Sequence, residues 1–115
     1  MKKGRKKNEG MKTNMKINKD TWYIIRSDRA GVFFGHIAEL DKEKATVTMT
    51  DCRRLWYWDG ACSLSELATE GTVAPRNCKF TVIVPEMEIF TVIEVIPCSE
   101  KAAASIQGVK PWKRS

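Results

Sequence analysis

The chain has 115 residues, of which 43% are hydrophobic, so it is long enough for one domain with a small core and too apolar for a wholly disordered protein. Its net charge of +6 comes from 20 basic and 14 acidic residues. Eight of the basic and two of the acidic residues lie in the first 20 positions, so the rest of the chain is neutral, which argues against a domain whose whole surface grips a nucleic-acid backbone.

The N-terminal segment, residues 1–18, is rich in Lys, Asn and Gly and shows no apolar periodicity. We expect a flexible basic arm here, followed by a single α+β domain over residues 19–115. The arm's positive charges, from Lys2 to Lys19, predict only weak binding to nucleic acid. No apolar signal-peptide region follows them and no run is long enough to span a bilayer, so we expect a cytoplasmic protein with no membrane partner.

Three strands are predicted in the first half of the domain, because β-branched and aromatic residues alternate with turn-forming stretches. These strands are residues 21–26, 32–40 and 45–50. In the third strand, Val47 and Met49 alternate with threonines, which predicts one buried face. Asp51 and Cys52 interrupt the pattern, and residues 53–58 resume it as a separate strand-like segment.

Two short helices are predicted in the second half. Ser63 and Glu66 form a capping box that starts the first helix, and Gly71 is suited to end it. Ser99 caps the second helix, which Gly108 terminates.

Two further strands, residues 79–84 and 89–96, are predicted between the helices, and the C-terminal Pro111–Trp112 is expected to fold back onto the sheet. This order predicts an α+β fold: a small curled antiparallel sheet, or an SH3/Sm-like partial barrel, of about five strands with two short helices. The pattern from Phe34 to Leu55 resembles the core of Sm-like and related SH3-like barrels, a resemblance that implies a bent sheet and no function.

The sequence predicts neither a metal centre nor a catalytic site. The cysteines form no CxxC pair and there is a single histidine, so metal-ligand spacing is missing. The cysteines are Cys52, Cys62, Cys78 and Cys98, and we expect them to be reduced and to act as small buried hydrophobic residues. His36 shares a strand face with Phe34, which favours a structural histidine, and Glu86 and Glu88 are expected to be a solvated pair. We therefore predict a protein that is not an enzyme and has no cofactor.

The segment from Arg53 to Ser63 concentrates residue types that bind nucleotides. In an extended strand, Arg54, Trp56 and Trp58 share one face, and Arg53 lies on the other. Indoles stack on flat rings, and a guanidinium donates paired hydrogen bonds to phosphate. Gly60 leads to Ser63 at the start of a helix, where unpaired N–H groups and the helix dipole favour an anion. The candidate ligand-binding residues are Arg53, Arg54, Trp56, Trp58, Gly60 and Ser63.

An alternative interpretation of the same segment is structural. Tryptophans commonly fill the core of a small domain, and Arg53 and Arg54 can pair with acidic residues of the neutral body. The Ser63 and Glu66 side chains also satisfy some of the donors at the helix start. The sequence leaves both interpretations open.

Several of these motifs resemble those of a family of small phage and prophage proteins of unknown function. The resemblance spans about residues 21–112 and rests on segments 30–35, 53–58, 60–61, 63–68, 70–71, 77–80, 95–106 and 109–112. It implies a phage origin and a conventional small fold, and it transfers no catalytic residue.

Three functions are compatible with such a protein. The first is a counter-defence protein that sequesters a nucleotide-derived anionic ligand of the host, by stacking and phosphate pairing without catalysis. The second is a protein–protein module, either a virion component or a direct inhibitor of a defence enzyme. The third is nucleic-acid binding through the basic arm. We also expect a homo-oligomer, because small sheets with exposed edges often pair with a copy of themselves.

Overall fold

The computed structural model describes residues 16–114, so most of the predicted basic arm lies outside the described residues. The strands are β1 Tyr23–Ser27, β2 Gly31–Asp41, β3 Thr46–Tyr57, β4 Lys79–Phe80, β5 Val84–Ile89 and β6 Val92–Pro97. The helices are α1 Leu64–Glu70 and α2 Glu100–Gln107, with a short 3₁₀ turn at Pro75–Asn77. The predicted α+β class with two short helices is confirmed.

The strands form one six-stranded antiparallel sheet in the order β4–β3–β2–β1–β6. β5 also pairs with β3, at Val47–Cys52, whereas β4 pairs with β3 at Leu55 and Tyr57. β5 and β6 therefore lie at opposite edges, although only Phe90 and Thr91 join them. In a flat sheet, four interstrand steps would place these strands about 19 Å apart, whereas three residue steps reach about 11 Å. The sheet has to curl for this link to reach. Within residues 16–114 no ladder joins β5 to β6, so the sheet is not closed into a barrel.

Both faces of the curled sheet are buried, which explains its continuous apolar runs. Ile24 and Phe34 belong to a cluster that packs against the helices through Leu67 and Ile106. The alternate residues Tyr23, Ile25, Phe33, Ile37, Val47 and Met49 line the opposite, inner face. Because successive strand residues point to opposite faces, a strand buried on both sides is apolar throughout.

β3 runs without interruption from Thr46 to Tyr57, so the predicted division into two strands is wrong. Asp51 has a φ of 50°, and the β2–β3 register shifts beside it, between Phe34 and His36. A Cβ added to Gly35 would lie 2.9 Å from the carbonyl oxygen of Thr50. Glycine is therefore required where the two strands approach closely at this bulge.

The predicted strands over residues 79–84 and 89–96 are misplaced. β4 contains only Lys79 and Phe80, and the second predicted strand crosses a tight turn at Phe90 and Thr91. Thr91 has a φ of 55°, and its carbonyl accepts the N–H of Asp28 at 2.8 Å. The turn contains none of the Gly, Pro and Asn residues that mark most turns. A hydrogen bond from the chain after β1 holds it instead, so no local sequence signal predicts it.

The helix boundaries agree with the predicted caps. The Ser63 hydroxyl accepts the N–H of Glu66 at 3.1 Å, and Gly71 ends α1 with a φ of 81°. The C-terminal segment returns to the sheet as predicted, because the N–H of Trp112 donates to the carbonyl of Phe80 at 2.8 Å. In the part of the chain that the structure describes, neither helix has the length and apolar character needed to cross a membrane.

Candidate functional site

A surface cavity of about 310 Å³ lies between the end of β3 and the β1–β2 turn. We call it the arginine–tryptophan groove, and its lining residues are Arg29, Ala30, Gly31, Val32, Arg54, Leu55, Trp56 and Trp58. Three of the six candidate residues, Arg54, Trp56 and Trp58, therefore line one cavity. They are also the three that strand alternation places on a common face.

The Arg54 side chain is half-buried and held in place on the groove wall. Its guanidinium carbon lies 4.6 Å from the centroid of the Phe33 ring, and one terminal nitrogen donates to the carbonyl oxygen of Ala30. Phe33 is also the cross-strand partner of Arg54 in the β2–β3 ladder. Among residues 16–114, Arg54 forms no ion pair. Neutral groups therefore hold the Arg54 guanidinium in place, and its positive charge remains available to an anion.

Arg29 adds a second cation that sequence reasoning missed. It lies in the β1–β2 turn and is exposed, and no periodic pattern connects a turn residue to a strand more than twenty positions away. The backbone N–H groups of Arg29 and Ala30 donate to the Ser27 hydroxyl at 3.3 and 3.1 Å. A buried serine therefore fixes the turn that carries this arginine.

The two arginines also stand at the border of a neighbouring hollow of about 480 Å³. Its lining residues are Arg29, Ala30, Phe33, Arg54, Met87, Glu88, Ile89, Phe90 and Thr91. The hollow is apolar apart from Glu88, Thr91 and the arginines. A ligand in the arginine–tryptophan groove can thus extend past the guanidinium groups along the surface.

Trp56 and Trp58 differ in their surroundings. Trp56 is 58% exposed, and its ring stacks on that of Trp112, with centroids 5.2 Å apart and an interplanar angle of 29°. The ammonium of Lys79 lies 5.4 Å from the Trp56 centroid and 5.3 Å from that of Trp112. Trp58 is half-buried and packs against the core between sheet and helices. The structural interpretation of the tryptophans therefore fits Trp58 in part and does not fit Trp56.

Arg53 lies in the protein interior, with 1% of its surface exposed. Its guanidinium donates to the carbonyl oxygens of Ile106 and Val109 at 3.0 Å each, of Thr81 at 2.8 Å and of Phe80 at 3.3 Å. Burial lowers the pKa of this arginine. Because backbone carbonyls occupy its donors, Arg53 holds α2 and β4 together and does not reach the groove, contrary to its predicted role in ligand binding.

Gly60 and Ser63 do not line the groove either. Gly60 has a φ of 82°, and a Cβ there would lie 2.6 Å from the nitrogen of Ala74, so its role is to form a tight loop. At the start of α1 the carboxylate of Glu66 accepts the N–H of Cys62 at 2.6 Å. A carboxylate at this position repels other anions, so the predicted phosphate end is not supported there. The cations that line the groove are Arg29 and Arg54.

The other residues with reactive side chains have structural surroundings. His36 places Nδ1 3.0 Å from the carbonyl oxygen of Thr21, and its ring centroid lies 3.8 Å from that of Trp22.

The cysteines differ in their exposure to solvent. Burial raises the pKa of Cys52 and of Cys98 to about 12 in each case. Cys52 and Cys78 are buried and Cys98 is half-buried, but Cys62 is exposed, so the prediction of buried cysteines is wrong for Cys62. Within residues 16–114, no cluster of three His, Cys, Asp or Glu side chains is arranged to hold a metal ion.

Comparison with protein families gives one match: the model described as a domain of unknown function, DUF6948, covers residues 21–106. The matched range includes both arginines and both tryptophans of the groove and ends before Trp112. No curated protein and no solved structure matches the chain.

Proposed function

Since the chain belongs to the DUF6948 family, whose description names no activity, we propose its function from the groove: non-enzymatic binding of a nucleotide-like anionic ligand. One observation carries this proposal. Two guanidinium groups, from Arg29 and Arg54, and two indoles, from Trp56 and Trp58, line one surface cavity that has no acidic residue in its wall. Such a cavity offers a flat apolar surface beside an unpaired positive charge.

The chemistry of these groups matches the two halves of a nucleotide. The exposed Trp56 ring can stack on a base, and the Arg54 guanidinium can donate paired hydrogen bonds to a phosphate. A volume of about 310 Å³ is at the lower end of the range for small-molecule sites. Phe33 and the Ala30 carbonyl hold Arg54 in place before a ligand arrives, which lowers the entropic cost of binding.

The biological role that we attach to this binding is counter-defence by a phage protein in the host cytoplasm. The support for it is the resemblance of the groove-forming motifs to small phage proteins. Sequestering a nucleotide-derived signal requires affinity and no catalytic group, which is compatible with a groove built from arginine and tryptophan.

A second candidate function, binding to another protein, is favoured by a different surface. Phe90 and Ile93 are large apolar residues with more than half of their surface exposed. Both lie at or beside β6, which among the described residues pairs only with β1. An exposed strand edge with apolar side chains can pair with a host protein or a second copy of the chain.

Isothermal titration of the full-length protein with cyclic dinucleotides, cyclic trinucleotides and ADP-ribose tests the ligand proposal. We expect saturable heat with at least one of them and an affinity loss of about tenfold or more in Trp56→Ala. Tyr57→Ala is the matched control, because Tyr57 is a neighbouring exposed aromatic residue that does not line the groove.

The absence of heat with all three ligand classes rejects nucleotide binding. In that case, a stoichiometric protein complex that forms without nucleotide and is lost in Ile93→Lys supports the second candidate.

A further inference from the structure

A second basic cavity, of about 430 Å³, lies beside the C-terminal segment. Its lining residues are Pro75, Arg76, Cys78, Gly108, Lys110, Pro111 and Trp112. None of them is acidic. Arg76 and Lys110 are both exposed, and within residues 16–114 neither forms an ion pair. We call this the C-terminal cavity, and nothing in the proposed function uses it.

Two stacked indoles connect the C-terminal cavity to the arginine–tryptophan groove. Trp112 lines the former, Trp56 lines the latter, and their ring centroids are 5.2 Å apart. Lys79 places its ammonium within 5.5 Å of both ring centroids. The surface therefore offers cations at both ends and, between them, two partly exposed aromatic rings beside a further cation.

We propose that the two cavities form one path for single-stranded nucleic acid, with bases stacked on Trp56 and Trp112 and phosphates in contact with the flanking cations. This inference rests on the proposed function, because it makes the groove one part of the site for a longer ligand. The cations of the path are Arg29, Arg54, Lys79, Arg76 and Lys110.

The distribution of charge favours a polyanion over a single nucleotide. After residue 20 the chain has 12 basic and 12 acidic residues, and the path gathers five of the basic ones without an acidic residue in either cavity wall. Glu88 lies in the hollow next to the groove, outside both cavity walls of the path, and Glu86 and Glu88 pair with Thr50 and Thr48 across β5 and β3. A mononucleotide in the groove would leave Arg76 and Lys110 without a partner, whereas a strand that continues past Trp112 reaches them.

The aromatic rings favour a single strand over a duplex. In a duplex the base faces are stacked on one another, so Trp56 and Trp112 have nothing to stack on, whereas unpaired bases present their faces to indoles. Stacking tolerates any base, and the described path has no ordered set of hydrogen-bonding side chains that would read one. We therefore expect binding that depends little on sequence.

Fluorescence anisotropy with the full-length protein and labelled oligothymidylate or oligouridylate of two, four and eight nucleotides tests this path. We expect the affinity to rise at least tenfold from dinucleotide to octanucleotide and to be much lower for a labelled hairpin duplex. Trp112→Ala should weaken octanucleotide binding by about tenfold, the effect of losing one stacked base. Binding of either the DNA or the RNA oligomer supports the path, and the oligomer with the higher affinity identifies the kind of strand.

The Arg76→Ala/Lys110→Ala variant isolates the C-terminal cavity. It should weaken octanucleotide binding at least fivefold and reduce the slope of log affinity against log salt by about 1.4, since each phosphate contact to a single strand contributes about 0.7. The matched control is Arg26→Ala/Lys101→Ala, which removes the same charge from residues that pair with Glu94 and Glu70. This control should keep more of the octanucleotide affinity than the Arg76→Ala/Lys110→Ala variant does.

Three results would overturn the path. One is equal affinity for dinucleotide and octanucleotide, and another is an octanucleotide affinity that the Arg76→Ala/Lys110→Ala variant does not change. The third is octanucleotide binding that is lost only when Lys2, Lys3, Lys6 and Lys7 are replaced by Gln, which would assign it to the N-terminal arm. Titration with cyclic nucleotides in the same variants keeps the two proposals separate, because failure of the path leaves that heat intact.

Discussion

Arg53 and Arg54 are adjacent in β3 and occupy opposite faces of it. The Arg53 guanidinium is enclosed and donates to the carbonyl oxygens of Ile106 and Val109 at the end of α2. The Arg54 guanidinium lies over the Phe33 ring and forms part of the groove wall. One arginine therefore fastens the second helix to the sheet, and its neighbour faces solvent where a ligand can reach it.

Replacing Arg53 with Met should destabilise the fold strongly. The variant removes charged hydrogen bonds to four backbone carbonyls and leaves those buried acceptors short of a donor. We expect the free energy of unfolding to fall by about 3 kcal/mol, measured from the urea midpoint at an unchanged m-value. Arg26→Met is the control, since Arg26 is an exposed residue paired with Glu94, and it should cost less than about 1 kcal/mol. Equal midpoints for the two variants would contradict the structural role of Arg53.

The sequence predicts that Arg54, Trp56 and Trp58 share a face, and all three line the groove, although β3 ends at Tyr57. Alternation alone does not say which face is buried under a helix, because both Arg53 and Arg54 have a polar end that usually lies in water. The burial of Arg53 depends on the carbonyls at the end of α2, about fifty residues further along the chain. Arg29 lies in a turn and Lys110 in the C-terminal segment. Neither region has a periodic residue pattern from which its spatial neighbours could be predicted.

Gly35→Ala should also be costly, for a steric reason. The added Cβ would lie 2.9 Å from the Thr50 oxygen and 3.0 Å from the Cα of Cys52, and both are backbone atoms that cannot rotate away. We expect a loss of about 2 kcal/mol or more in thermal or urea unfolding. Gly108→Ala is the matched control, because Gly108 has a φ of −78° and a Cβ there would meet the nearest atom at 3.3 Å. Its effect should be within about 1 kcal/mol, and a larger loss there than at Gly35 would contradict the argument.

Local signals predict the helices well and the last strands poorly. Ser63, Gly71 and Ser99 act through hydrogen bonds or dihedral angles within one turn of their own position, so their effect can be read from neighbouring residues. The turn at Phe90 and Thr91 depends on Ser27 and Asp28 at the end of β1, the strand next to β6, more than sixty residues earlier in the chain. A turn that is fixed by tertiary contacts leaves no local pattern.

Cys52 should make the fold less stable at alkaline pH. Burial raises the pKa of its thiol from the ordinary 9.0 to about 12, an increase that Arg54 partly offsets. Between these values the unfolded chain loses the proton and the folded chain keeps it, so unfolding releases a proton and high pH favours it. The protonated Cys52 thiol therefore contributes its full share of the free energy of unfolding below pH 9. That share falls between pH 9 and pH 12, by up to about 1.4 kcal/mol for each pH unit.

Urea unfolding of Cys52→Ala from pH 8 to pH 11 measures this effect. The variant starts less stable because it leaves a small cavity, and its stability should then fall less steeply with pH than that of the original protein. Cys62→Ala is the control, because the Cys62 thiol is exposed, and its curve should run parallel to the original. Parallel curves for all three proteins would show that the Cys52 proton is not linked to folding.

Ser27 should affect ligand binding through Arg29, without contact with the ligand. Its hydroxyl lies 2.7 Å from the Phe90 carbonyl oxygen and accepts the backbone N–H of Arg29 at 3.3 Å. Ser27→Ala removes these bonds from a buried position, so we expect a stability loss of about 1–3 kcal/mol and weaker nucleotide affinity in titration at a temperature where the variant is folded. If Ser27 acts by positioning Arg29, the Ser27→Ala/Arg29→Ala double variant should bind no more weakly than Arg29→Ala alone. Additive losses in this cycle would show instead that Ser27 supports the groove through other residues.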